Sequence, residues 1–266
     1  RIHHIELFIN RPHKVQDKLW RYLIRTAKNT EFGKTYDFKS IKNLKDFCAF
    51  IPLSSYEDLE PYILKMRAGN QNILWPSNIK WFAKSSGTTN SKSKYIPISK
   101  EAIYNCHYKA GKDLLSLYCN NFPLKNIFEG KSVMLGGSHS ISEFSNKMKE
   151  GDLSAIIMEH LPFWVQKQQS PGKKIALMDE WESKIELMAS QAIHQNVSSL
   201  SGVPSWTMVF AQKVLEKTGK NNLHEVWPNF ELYMHGGINF EPYKKPFEKL
   251  FPKGINYLES YNASEG

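Results

Sequence analysis

Ser85, Ser86, Thr88 and Thr89 place four hydroxyls around Gly87 in the run SSGTTNSKSKYIP, and Lys92 and Lys94 follow them. Hydroxyl donors, a glycine that lets the backbone approach a ligand, and ammonium groups are together suited to holding phosphate. The same composition also describes a solvated surface turn, so the run needs support from elsewhere in the chain. A P-loop is excluded, because Ser91 and Lys92 stand where GxxxxGK[ST] would require glycine and then lysine.

That support comes from two further stretches. The terminal YNASEG offers Glu265 as a hard oxygen ligand for magnesium, Ser264 as a hydroxyl, and Tyr261 as a flat ring on which a base can stack. Ala263 is small enough for a nucleotide to lie against the backbone there. Between these pieces, ELYMHGGIN puts Gly236 and Gly237 directly after a predicted strand, a pattern for a tight turn with close backbone approach.

The elements that would carry these residues follow from hydrophobic spacing. The apolar run 79–83 predicts a strand, so the hydroxyl loop opens at a strand's carboxyl end, where open α/β sheets collect ligands. Val15, Leu19, Tyr22, Leu23 and Thr26 recur at helical spacing and predict an amphipathic helix over 14–28 with that row inward. A helix over 98–118 is expected to begin at Ser99, whose hydroxyl can cap it. A strand and turn are predicted at 132–137, and further strands in the run VSSLSGVPSW, in FELYM and in INYLE. Helices are predicted over 179–194, from Pro204, and over 243–250. In the 179–194 helix the inward face is Trp181, Ile185, Met188, Ala189 and Ala192. Alternation of this kind indicates an α/β fold with a largely parallel central sheet. No internal repeat or low-complexity segment interrupts it.

Composition narrows the class of protein. With 41% apolar and 13% aromatic residues, 266 residues can bury a substantial core. No apolar stretch approaches the roughly 20 residues of a membrane helix, and no charged-then-apolar leader opens the sequence; a cytoplasmic protein without membrane contact is expected. Cys48, Cys106 and Cys119 lack CxxC spacing and no HExxH occurs, so neither a disulfide framework nor a zinc site is expected. The net charge of +9 is spread over short clusters such as Lys173, Lys174 and Lys244, Lys245. These read as solvated surface and not as a nucleic-acid site.

In this order the three chemical stretches resemble the adenylate-forming superfamily. Within it the sequence is most similar to the Gretchen Hagen (auxin-responsive) family of acyl-acid amido synthetases, bacterial branch. The likeness runs through TEFGKTYDF, YEDLEPYI, ILWP, WFAKSSGTT, GKSVMLGGS and SGVPSW. The resemblance implies ATP phosphates on Ser85, Ser86, Gly87, Thr88, Thr89 and Lys94. It further implies adenine and magnesium at Tyr261, Ala263, Ser264 and Glu265, and a nucleotide pocket lined by Gly236 and Gly237. Asn90 and Ser91 depart from the superfamily's more usual glycine and proline. The family also continues past its magnesium motif with a ribose-binding acid and a mobile carboxyl-terminal domain. The 266 residues are therefore read as the amino-terminal part of one large adenylation domain, with that small domain absent.

The implied reaction is ATP-dependent activation of a carboxylic acid to an acyl-adenylate, then amide formation with an amino acid or amine, with Lys94 and Glu265 as catalytic residues. Val203, Trp206, Met234 and His235 are candidates for the acyl pocket. Core packing competes for Trp206, and a backbone hydrogen bond competes for His235. His107, Lys109 and Lys112 fall on a helix where a cation can meet an acid or simply face water. An acyl-CoA synthetase-like thioester ligase and a noncatalytic nucleotide-binding fragment remain as alternatives, and the oligomeric state stays open.

Overall fold

The computed structural model describes residues 1–85, 93–136, 142–143 and 148–265. Among the described residues nine strands appear in chain order: β1 (Trp81–Ser85), β2 (Lys94–Ile98), β3 (Lys131–Leu135), β4 (Ser142–Glu143), β5 (Lys149–Gly151), β6 (Gln169–Ser170), β7 (Val197–Gly202), β8 (Leu232–His235) and β9 (Asn256–Glu259). The chain divides into two compact units. One comprises Arg1–Phe122, Ile141–Leu153 and Ser264–Gly266; the other comprises Pro123–Ser140 and Ser154–Ala263.

The first unit opens with α1 (Ile2–Asn10), α2 (Pro12–Ala27), α3 (Glu31–Thr35), α4 (Leu44–Phe50) and α5 (Tyr56–Arg67). Side chains start three of these helices. Thr30, Asn43 and Ser55 each accept the backbone N–H of the third residue that follows, and Asp58 completes a capping box with Ser55. Helix α5 covers a mixed sheet of order β2-β1-β5-β4, burying Ile63 and Met66 against Ile79, Phe82 and Met148. Arg67 at its end reaches Glu150 of β5 at 2.5 Å while its guanidinium lies 3.7 Å over the ring of Tyr95. The amide of Gln71 clamps Ile79 just ahead of β1, accepting its N–H at 2.8 Å and donating to its carbonyl at 3.2 Å.

Strand β1 runs antiparallel to β2, with Ser85 opposite Lys94. The strand predicted ahead of the hydroxyl run does form, but it ends at Ser85 instead of Ala83 and pairs with β2, the next strand in the chain; residues 86–92 lie outside the described residues. The helix expected from Ser99 begins as a π-helix, Ala102–His107, and continues as α6 (Tyr108–Asn121). The Ser99 hydroxyl accepts the Ala102 N–H at 2.9 Å, the predicted cap.

Helix α2 forms where its spacing predicts, but the other way round. Ile24 and Ala27 are buried with Trp20 packed beside them, whereas Leu19, Tyr22 and Leu23 are exposed. Trp20, Ile24 and Ala27 form a second row at helical spacing, and the edge-on contact of Trp20 with Phe47 of α4, 6.1 Å between centroids, makes this row the inner one.

The second unit contains α7 (Leu153–Glu159), α8 (Phe163–Gln168), α9 (Lys173–Ala176), α10 (Trp181–Ala192), α11 (Pro204–Thr218) and α12 (Lys244–Leu250). Its sheet has the order β6-β3-β7-β8-β9 and every pair in it is parallel. Parallel strands are covered on both faces, and β7 has the matching sequence: Val197, Ser198, Ser199 and Leu200 are all buried in succession. Serine is tolerated there because Ser198 donates to the Ile127 carbonyl at 2.6 Å. Met188, Phe210, Val214 and Phe247, from α10, α11 and α12, join Val133, Leu200 and Tyr233 in the main core. Trp227 seals its rim by stacking on Phe210 and Phe230 and donating to the Ala192 carbonyl at 3.0 Å. The predicted α/β class with a parallel sheet is thus what forms. Among the described residues no helix is long and apolar enough to cross a membrane.

The inverted face of α2 makes a measurable distinction. Ile24→Ala should lower unfolding free energy by about 2–5 kcal/mol, whereas Leu19→Ala should change it by no more than about 0.5 kcal/mol, both read from urea unfolding curves. Equal losses would mean that the exposed row is packed.

Candidate functional site

All five strands of the second unit's sheet point the same way, so their carboxyl ends gather Gly136, Gly202, Gly236 and Ser260 along one edge. The closest approach is between β8 and β9. Beyond the last ladder pair, His235 with Glu259, the Ser260 N–H donates to the His235 carbonyl at 2.8 Å. A Cβ on Gly236 would lie 2.2 Å from the Ser260 carbonyl oxygen, so only glycine fits. Gly237 then turns at φ +83°, in the left-handed region, with Val203 Cγ2 3.4 Å from where its Cβ would be. The glycine pair therefore makes the tight turn with close backbone approach that its sequence predicts, and the carboxyl edge brings Val203 to it.

His235 is buried, and its ring stacks on Phe240 with centroids 4.2 Å apart. Among the described residues its Nδ1 has no hydrogen-bond partner, although its backbone carbonyl is held by Ser260. Burial depresses the imidazole's pKa, and Glu259 opposes that shift only weakly. His224, buried edge-on against Phe251, is depressed for the same reason, with Lys253 adding to the effect. Met234 and Trp206 are both half-buried. Trp206 packs on Trp181 at 5.3 Å, so it has a structural contact while keeping part of its surface open.

Lys184 had no place among the sequence candidates. It is fully buried, and its Nζ donates to the Gly136 carbonyl at 3.1 Å, where β3 ends. The signal was present in the sequence: position 184 falls in the row of Trp181, Met188 and Ala192, so a lysine interrupts an otherwise apolar helix face. Nearby, the Tyr233 hydroxyl donates to the Gly202 carbonyl at 2.9 Å and lies 3.2 Å from Thr207 Oγ1, fixing the end of β7.

In the first unit, Ser85 and Lys94 face each other across the hairpin. The Lys94 ammonium lies 5.3 Å from the ring centroid of Tyr56, whose hydroxyl accepts the Tyr95 N–H at 2.9 Å. The Glu57 carboxyl is held below its usual pKa chiefly by its own backbone N–H and by Ser55, with Lys94 contributing less. Ser86, Gly87, Thr88 and Thr89 lie outside the described residues. Glu265 is exposed, as is the ring of Tyr261, while Ala263 and Ser264 are half-buried. Tyr261 and Ala263 belong to the second unit, and Ser264 and Glu265 to the unit that holds Lys94.

These residues are compatible with ATP and magnesium in a specific way. Tyr261 presents a ring that is 94% exposed, and the Gly236–Gly237 turn lies at the sheet's carboxyl edge. Among the described residues no group of three His, Cys, Asp or Glu side chains is arranged to hold a metal. A lone carboxylate such as Glu265 suits magnesium bound mainly through water and substrate phosphates.

A parallel α/β sheet with its glycine turn at the carboxyl edge defines the class, and the family follows from comparison. The GH3 family N-terminal domain matches residues 1–255, so the chain belongs to the GH3 family, the Gretchen Hagen family its motifs resemble. It is 32% identical over 100 residues to indole-3-acetic acid-amido synthetase GH3.2 of Arabidopsis thaliana, a match spanning 37% of this chain and 18% of that protein. Over 135 residues it is 28% identical to jasmonoyl-L-amino acid synthetase JAR6 of Nicotiana attenuata, covering 50% of this chain and 22% of the relative. The solved structure of AtGH3.15 acyl acid amido synthetase in complex with 2,4-DB superposes with a TM-score of 0.75 at 15% identity, over 95% of this chain and 53% of that one. The chain thus spans about half the length of that solved structure, and its matches to the two curated relatives take in about a fifth of theirs. Both curated relatives are plant proteins; the likeness to the bacterial branch stands on sequence motifs alone.

Depressed histidines bind fewer protons folded than unfolded, so they add stability that is complete above the unfolded value of about 6.5 and is lost as pH falls through the lower native value. Unfolding free energy should therefore fall from pH 7.5 to pH 5, and His235→Phe should flatten part of that slope. An identical slope in the variant would show that His235 is not held neutral.

Proposed function

We propose that this chain is the amino-terminal part of the adenylation domain of a cytoplasmic ligase. The enzyme would use ATP to activate a small carboxylic acid as its acyl-adenylate, and an amino acid or amine would then displace AMP to give an amide. The observation that carries this reading is the family match over residues 1–255, together with a glycine turn at the ligand edge of a parallel sheet. The amide product is favoured over a thioester because one relative is named an indole-3-acetic acid-amido synthetase and another a jasmonoyl-L-amino acid synthetase.

The nucleotide and magnesium roles assigned here are those the family resemblance implies, and the chemistry of each residue suits its role. Ser85, Ser86, Thr88 and Thr89 would donate hydroxyls to phosphate oxygens, Gly87 would bring the backbone close, and Lys94 would offset the charge that builds on departing pyrophosphate. Lys94 suits this task because its ammonium lies over the neutral ring of Tyr56, and although the Glu57 carboxylate feels its charge, among the described residues no carboxylate closes a salt bridge on it. Glu265 would hold magnesium, which when bound neutralises phosphate charge. Tyr261 would stack on adenine, with Ala263 and Ser264 against the nucleotide and Gly236 and Gly237 lining its pocket. Val203, Trp206, Met234 and His235, from the same sheet edge and the start of α11, would bound the acid. Positioning and charge suffice for the first step, which requires no nucleophilic side chain.

Carboxylate-dependent exchange of labelled pyrophosphate into ATP by the complete gene product tests the reading. Lys94→Ala and Glu265→Ala should each slow exchange at least about tenfold, since one preorganised donor is worth about 3 kcal/mol at a transition state. Exchange at the parental rate in both variants removes them from the site, and absence of exchange with any acid defeats the ligase assignment. Supplying amines or coenzyme A as acceptor then separates amide from thioester formation.

A further inference from the structure

Helix α2 carries two apolar rows, and its own unit buries only one. In the outer row, Val15 and Thr26 are half-buried and the Tyr22 ring lies 6.4 Å from that of Trp75, but Leu19 remains 57%, Tyr22 42% and the adjoining Leu23 43% exposed. Beside it, at the same alternation of three- and four-residue steps, run Lys14, Lys18, Arg21 and Arg25, all exposed. From Arg11 to Lys28 there are six cations against the single acid Asp17, which is five of the chain's nine net positive charges in 18 residues. Arg21 pairs with Asp17 at 2.8 Å; among the described residues Lys14, Lys18 and Arg25 enter no salt bridge.

We infer that this face of α2 docks on an anionic phospholipid surface, lying in its plane with the outer apolar row inserted and the cation row beside it at the headgroups. An apolar stripe flanked by cations on a helix too polar to span the bilayer is the pattern of an interfacial helix. Charge favours this occupant over a second copy. A second copy packed antiparallel on this face would set two cation rows side by side, like charge against like, whereas an acidic lipid surface offsets Lys14, Lys18 and Arg25, the cations of the row that no carboxylate pairs. The concentration of charge on α2 also revises the sequence-based expectation of a merely solvated surface, because in the sequence these cations are interleaved with other residues and only the helix aligns them. This contact would tether the protein peripherally and is independent of the chemistry proposed above.

Vesicle co-sedimentation of the 266-residue chain and of the complete gene product tests the inference, using phosphatidylcholine vesicles with and without phosphatidylglycerol. Both proteins should partition onto the anionic vesicles at least about tenfold more strongly than onto neutral ones, and the binding should weaken in about 0.5 M salt. Leu19→Ser/Leu23→Ser should reduce partition several-fold with an unchanged unfolding midpoint, and Lys14→Glu/Lys18→Glu/Arg25→Glu should abolish the anionic preference. The inference is overturned by equal binding to both vesicle types, or by parental binding in the serine variant. It is also overturned by a failure of the complete gene product to bind, or by a dimer in sedimentation velocity that the serine variant dissolves while vesicles capture nothing.

Discussion

The closure of β8 onto β9 beyond their last ladder pair is the constraint on which the candidate site depends. One hydrogen bond, from Ser260 N–H to the His235 carbonyl, carries the pairing past the end of the sheet, and it can form only because residue 236 has no side chain to meet the Ser260 carbonyl. With that contact made, the chain turns away at Gly237 and Tyr261 is left on the surface at the sheet's carboxyl edge. A side chain at 236 would separate the two strand ends and, with them, the backbone that the nucleotide reading requires.

Behind this edge the fold supplies stiffness. Parallel strands need cover on both faces, and aromatic packing of Tyr233, Phe240, Phe247 and Tyr257 fills the space around the β8 end, with His235 stacked among these rings. Two polar side chains that enter this interior are tied to carbonyls at strand ends: Tyr233 to Gly202 and Lys184 to Gly136. Buried donors of this kind hold backbone in place, since breaking them would leave a desolvated group without its partner. Lys184 and Tyr233 thus fix the ends of β3 and β7 as Ser260 fixes that of β8.

The first unit solves a different problem. Its sheet is mixed, its short strands are covered by α5, and its helices depend on side-chain caps at Thr30, Asn43 and Ser55 for their starts. The hairpin of β1 and β2 holds Ser85 and Lys94 opposite one another, which brings the two ends of the hydroxyl loop together by backbone pairing alone.

Local chemistry made much of this legible before any coordinates. Glycines after a strand, a serine ahead of a helix, and buried runs such as that of β7 are decided by neighbouring residues, so the turn at Gly236–Gly237, the Ser99 cap and the α/β class could be read directly from sequence. Strands as short as β5 and β6 gave no periodicity to read. The inward face of α2 was misread because two rows of that helix are apolar and only Trp20's contact with Phe47 selects between them. Lys184 was passed over because a single lysine in a stripe looks like an interruption until a carbonyl is found facing it. Sequence by itself determined which residues turn, cap and alternate, since those are contests between near neighbours. Tertiary structure decided which apolar row is buried, which lysine is enclosed and which strand ends meet, because burial and long-range pairing depend on partners tens of residues away that no local pattern specifies.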